Sequence, residues 1–162
     1  MPPRWTAITA ALTCAVVLGG CGPGYIHQPL SLELGDPASA AGAFSINEDD
    51  VYEVALEVRP TGDSAELRGR VRSYFEVSFE RPLVAHVVLS RKSPGKAPAV
   101  IVEKSISAPD FSAWNSDAMT MELARSRLPE GDYEVRATLS GRKFRSYDYR
   151  TRLVVEHAYT GK

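Results

Sequence analysis

Tyr52-Glu53-Val54-Ala55-Leu56-Glu57-Val58-Arg59 is the clearest stretch in this 162-residue chain. Tyr52, Val54, Leu56 and Val58 alternate with Glu53, Ala55, Glu57 and Arg59, and Pro60 closes the run. Successive side chains of a strand point to opposite faces, so this period of two predicts one apolar face turned inward and a wet face carrying the glutamates. The same alternation recurs on both sides. Upstream, Leu30, Leu32 and Leu34 alternate with Ser31 and Glu33. Gly35, Asp36, Pro37 and the small residues up to Gly42 then break the pattern, before a short apolar piece at residues 43–46. Downstream come Leu83, Ala85, Val87 and Leu89, the turn RKSPGKAP (91–98), and another strand at 100–106. Three more alternating sets follow: Met119, Met121 and Leu123; Tyr133, Val135, Ala137 and Leu139; and Tyr149, Thr151, Leu153 and Val155. Seven or so strands with turn punctuation predict a mainly β, antiparallel sandwich.

Residues 63–75 break the period of two. Leu67, Val71, Tyr74 and Phe75 stand at i, i+4, i+7 and i+8, one face of a helix. Asp63 and Ser64 can cap its start, and Arg68, Arg70 and Arg72 occupy its wet side. One short helix is therefore expected here, with Gly69 weakening it by about 1 kcal/mol relative to alanine.

Leu128-Pro129-Glu130-Gly131-Asp132-Tyr133 opens the penultimate strand. A leucine, a glycine turn and a tyrosine just inside the strand resemble the tyrosine corner of Greek-key, immunoglobulin-like sandwiches, in which the hydroxyl bonds back to upstream backbone. The motif speaks to the fold and not to function.

At 44% hydrophobic and 24% charged residues the composition is that of an ordinary globular protein, long enough for one domain. A net charge of −1 supplies no positive field for phosphates, so nucleic acid is not an expected partner. Two cysteines exclude a disulfide framework and a Cys-rich zinc site.

Arg4 precedes an apolar run at residues 6–18, and Leu18-Gly19-Gly20-Cys21 ends it. That is the layout of a secretory signal, too short to span a bilayer as a transmembrane helix. Its end resembles a bacterial lipobox, in which the cysteine receives diacylglycerol before cleavage. The resemblance implies a lipoprotein signal at 1–20, lipidation of Cys21, a tether at 21–29 and a β-sandwich domain at 30–162. Several acyl chains, at about 0.8 kcal/mol per buried methylene, hold a protein stably at a membrane. Gly22 in place of Asp after the cysteine matches, by resemblance to the enterobacterial sorting rule, the outer membrane, with the domain facing the periplasm. Cys14 leaves with the signal and Cys21 carries lipid, so the mature chain has no free thiol in an oxidising compartment.

Chemistry-bearing patterns are sparse. His27, His86 and His157 show no metal-ligand spacing, and no G-x-S-x-G turn is present. No catalytic residue, metal site or cofactor is assigned, and the protein is read as a non-enzyme. Glu48, Asp49 and Asp50, with Glu53 and Glu57 beyond, form either a calcium or contact patch or simply a loop and the wet face of a strand; the EF-hand spacing is absent. Arg136, Arg142, Lys143, Arg145, Arg150 and Arg152 form either a basic face for lipid headgroups or an acidic partner, or a solvated face. The connection SAPDFSAWNSD (107–117) displays Phe111 and Trp114 between Asp110 and Asp117 on what reads as a polar loop. Aromatics so placed are what binding hot spots look like, and these four residues are the candidate partner-binding site. The competing reading folds either ring back as a lid on the core.

Over nearly the whole mature chain, PLSLEL (29–34), AFSINEDDVYEVALEV (43–58), SAELRGRVRSYF (64–75), RPLVAHVVL (81–89) and LPEGDYEVRATL (128–139) resemble a family of bacterial lipoproteins with an immunoglobulin-like sandwich. That resemblance implies an immunity protein, which neutralises an antibacterial effector delivered into the periplasm. It carries no catalytic residues over, and the 107–117 connection has no counterpart in it. A second resemblance, of RPLVAHVVL followed by SAPDFSAW, is to transthyretin-like lipoproteins. It implies instead a structural accessory of a secretion or envelope complex.

Overall fold

A computed structural model describes residues 30–34, 38–76, 82–114, 117–144 and 146–158, with the side chain of Trp114 excepted. The signal at 1–20, Cys21, the tether at 21–29 and His27 lie outside the described residues. Nine strands and one helix follow in chain order: β1 (Leu30–Glu33), β2 (Ser39–Ile46), β3 (Asp50–Pro60), α1 (Ala65–Glu76), β4 (Val84–Arg91), β5 (Ala99–Ser107), β6 (Phe111–Trp114), β7 (Met119–Leu128), β8 (Gly131–Ser140) and β9 (Tyr149–His157). They form two antiparallel sheets, β1-β9-β3-β7-β6 and β2-β8-β4-β5. The mainly β expectation holds, with nine strands in place of about seven.

The alternation read from sequence makes the core. Tyr52, Val54, Leu56 and Val58 of β3 and Leu153 and Val155 of β9 face Ala85, Val87 and Leu89 of β4 and Tyr133, Val135 and Leu139 of β8, all buried in one apolar cluster. Helix α1 leads from the first sheet toward the second at one end. Ser64 Oγ accepts the Leu67 N–H at 3.1 Å, the N-cap expected of it, and Val71 and Phe75 dock inward.

Two elements differ from expectation. The small residues 39–42 form half of β2 and do not interrupt it. A Cβ on Gly42 would stand 2.8 Å from Leu32 Cδ1, so at this position the close approach of β1 calls for a glycine. The polar connection at 107–117 is not all loop: residues 111–114 pair with β7 as a short edge strand, Phe111 opposite Met121 and Trp114 opposite Met119.

The tyrosine corner has the expected bond. Tyr133 is fully buried, and its hydroxyl donates to the Pro129 carbonyl at 2.6 Å while the ring stacks on Phe44.

Candidate functional site

β5 and β6 are the outer strands of their sheets, and the chain between them turns at Ala108, whose φ of 52° is the left-handed conformation. A non-glycine residue pays about 1–2 kcal/mol there, held here by its N–H donating to the Leu83 carbonyl at 2.7 Å. This turn organises the predicted partner-binding residues. Asp110 is exposed on it, and among the described residues no cation pairs with it. Phe111 is half-buried and rests on the core, so this ring follows the lid reading in part. Trp114 ends β6, and its side chain lies outside the described residues. Asp117 is exposed just beyond. Asp110, the β6 backbone and Asp117 therefore lie along the outer edge of the first sheet toward the α1 end, whereas β5 leaves Val100 58% and Ile101 40% exposed at its other end, beside Ser90 and Arg91.

Asp110 and Phe111 also line a cavity of about 400 Å³ at the α1 end. Its other walls come from Phe75 of α1, Leu83, Met121 and Arg142. Arg142 is positioned from several directions. Gly141, with φ of 86°, presses its backbone against Pro82, where any Cβ would stand 2.0 Å from the carbonyl oxygen. The next residue is clamped by two tyrosines: Lys143 N–H donates to Tyr74 Oη at 2.9 Å, and Tyr149 Oη donates to the Lys143 carbonyl at 2.6 Å. Burial, then the adjacent Tyr74, pushes the Tyr149 phenol well above its ordinary range, so that proton stays in place. Thr151 Oγ1 donates to the Phe144 carbonyl. The Arg142 guanidinium lies over the Tyr74 ring, 5.2 Å from its centroid, and its buried Nε has no hydrogen-bond partner among the described residues. Among the described residues no carboxylate pairs with it.

The basic face does not form as one surface. Arg136 pairs with Glu134 at 3.3 Å on the second sheet, and Arg152 pairs with Glu57 at 2.7 Å on the first. Lys143 and Arg150 stay exposed at the α1 end, while Arg145 lies outside the described residues. The acidic stretch is likewise divided. Asp49 pairs with Arg127 at 2.8 Å, and Asp50 accepts from the Val51 N–H and faces His157 at 3.2 Å, which together hold its carboxyl below the usual range. Among the described residues no three His, Cys, Asp or Glu side chains are grouped to hold a metal. His86 sits on the outer face, 3.4 Å from Glu103.

Glu53 and Glu57 correct the wet-face expectation. They are 4% and 5% exposed, because long arginines from flanking strands lie across them. Arg152 reaches Glu57 and Arg125 reaches Glu53 at 3.1 Å. Burial, then the neighbouring Glu156 and Glu122, raises Glu53 above its ordinary range, and Arg125 offsets this only in part. A glutamate with a raised folded pKa binds more protons folded than unfolded between the two values, so its contribution to stability falls as pH rises through that window. Glu53→Gln is therefore expected to match wild type at acid pH and to gain on it as pH rises past the ordinary glutamate range. Urea midpoints of the two proteins across pH measure the difference, and a gap that shrinks with rising pH would contradict the assignment.

The cavity and Arg142 are what the sequence reading missed. Gly141-Arg142 sits in a turn with no motif around it, and only the glycine hints at a close backbone approach.

No family model and no curated protein matches this chain. Among solved structures, the crystal structure of GEBA250068378 from Sulfurospirillum deleyianum is similar, with a TM-score of 0.56 at 10% identity over 80% of this chain and 96% of that one. At that identity the likeness concerns the fold alone. Among the described residues no helix is long and apolar enough to cross a membrane.

Proposed function

We propose that this chain is a non-enzymatic lipoprotein, anchored through Cys21 at the periplasmic face of the outer membrane, whose sandwich binds a protein partner. The partner we assign is an antibacterial effector, which makes the chain an immunity protein. The observation that carries the binding reading is the open side formed by β5 and β6. There each sheet ends in an outer strand, with the Asp110–Trp114 segment toward the α1 end and exposed Val100 and Ile101 at the other end of β5. Exposed strand edges and apolar side chains are the materials from which protein interfaces are made. The Leu18-Gly19-Gly20-Cys21 sequence supports the anchor.

The finer fold reading is an immunoglobulin-like Greek key. In its support, β3-β7-β6 follow the B-E-D order of that fold and β8-β4-β5 follow F-C-C′, with Tyr133 at the start of the F-equivalent strand. The terminal strands trade places: β9 stands beside the B-equivalent strand, and β2 beside the F-equivalent one.

Two measurements test the function. Cys21→Ala is expected to remove the protein from the membrane fraction, and normal fractionation would overturn the anchor. Cells lacking the gene are expected to be killed in co-culture by their effector-producing siblings. The wild-type gene then restores survival, and Trp114→Ala restores it poorly, since loss of an interface anchor costs about 2 kcal/mol or more. Survival without the gene would overturn the immunity assignment, and full rescue by a stably folded Trp114→Ala would remove this residue from the interface.

A further inference from the structure

Arg142 is held in place, and among the described residues no carboxylate pairs with it. Its backbone is fixed by Gly141 against Pro82 and by the two tyrosine hydroxyls on Lys143. Its guanidinium lies over Tyr74 at a cavity wall, with Nε buried and without a hydrogen-bond partner among the described residues. The half-buried guanidinium thus stands at the cavity wall with no carboxylate on it among the described residues, and its planar fork suits an anionic acceptor brought by a ligand. The strained Ala108 on the opposite rim is a second sign, because backbone strain collects at binding sites.

The remaining walls limit what that acceptor is. Phe75, Leu83, Phe111 and Met121 give an apolar bed. Glu76 is neutralised by Arg72, at 2.5 Å, whereas Asp110 keeps its charge unpaired among the described residues. A phosphate dianion would meet both carboxylates as well as the arginine. A carboxylate suits the guanidinium fork, and a cationic group on the same ligand suits Asp110. The volume of about 400 Å³ lies within the range of about 300–1,000 Å³ found for small-molecule sites.

We infer that this cavity binds a zwitterion with an apolar side chain, an amino acid or a short peptide, its carboxylate on Arg142 and its ammonium toward Asp110. The site shares Asp110, Phe111, Ser112 and Ala113 with the partner surface proposed above, and it requires neither the anchor nor the effector.

Calorimetric titration of the full-length protein in detergent micelles tests this with four probes: L-leucine, L-leucyl-L-leucine, isocaproate and isoamylamine. One of the two zwitterions is expected to bind, and which one does so separates a free amino acid from a peptide. Isocaproate should bind more weakly, and isoamylamine should give no heat. Arg142→Gln should weaken the zwitterion by roughly 10- to 100-fold, the loss typical of a charged hydrogen bond. Since Arg142 packs on Tyr74, its melting curve must be taken alongside. The exposed Asp110→Asn provides the second variant, expected to close the gap between the zwitterion and isocaproate. The inference fails if neither zwitterion binds, if a folded Arg142→Gln binds as wild type does, or if isocaproate matches the zwitterion in the unaltered protein.

Discussion

Gly141→Ala is expected to cost the domain most of its stability. A Cβ there would stand 2.0 Å from the Pro82 carbonyl oxygen and 3.0 Å from its carbon, both backbone atoms that no rotamer change can move aside. The φ of 86° adds about 1–3 kcal/mol for a residue with a side chain. Relief of the clash requires the 141–144 turn to back away from Pro82, which strains the Tyr74 and Tyr149 bonds to Lys143 and draws buried Phe144 outward. Against a total stability of about 5–15 kcal/mol this approaches a loss of fold. The melting temperature should drop by more than about 10 °C, since 1 kcal/mol shifts a domain of this size by about 2–8 °C. Gly95→Ala is the control: its φ of 69° is also left-handed, but nothing lies within 4 Å of a Cβ, so it should cost only about 1–2 kcal/mol. Equal losses in the two variants would show that the Pro82 contact is not what makes Gly141 necessary.

The second large effect is at Tyr133. Tyr133→Ala removes a fully buried ring that stacks on Phe44 at 5.7 Å, together with a hydroxyl that ties β8 to the preceding turn. Large buried aromatics cost about 3–5 kcal/mol on truncation. Tyr133→Phe keeps the ring and loses only the bond to Pro129, at about 0.5–1.5 kcal/mol. Urea midpoints of the three proteins should therefore fall in the order tyrosine, phenylalanine, alanine, with the larger step last. A phenylalanine variant as stable as wild type would mean that packing alone maintains the corner.

Why β3, β8 and β9 were legible while β6 was not follows from how each is held. The first three carry an apolar residue at every second position, because one face of each is pressed against the opposite sheet. β6 has four residues at a sheet edge, Phe111-Ser112-Ala113-Trp114, and is held by its pairing with β7 and by Ser112 Oγ donating to the Thr120 carbonyl. A local pattern cannot report a partner fifty atoms or a whole strand away. Glu53 and Glu57 were misplaced for the same reason, since their cover comes from Arg125 on β7 and Arg152 on β9. The partner-binding candidates rest on residue type alone; the structure exposes Asp110 and Asp117 and half-buries Phe111. The cavity was invisible, because its walls come from α1, the Ala108 turn, β7 and the 141–144 turn, which meet only in three dimensions.

The register of β1 sets how the molecule stands. Leu30 pairs with Val155 and Glu33 with Arg152, so the chain enters the sheet near Asp50, Leu128 and His157 and runs toward Tyr149. Under the proposed anchoring, that entry end is the one joined to the bilayer through residues 21–29. Six residues of β9 separate Val155 from Tyr149, which at about 3.3 Å each sets the α1 end roughly 20 Å from the entry end. Exposed Lys143 and Arg150, with Tyr147 beside them, lie at the end of the domain farther from the anchored segment. Their natural counterpart, under that anchoring, is whatever arrives from the periplasmic side, and the Arg142 cavity lies at the same end of the domain.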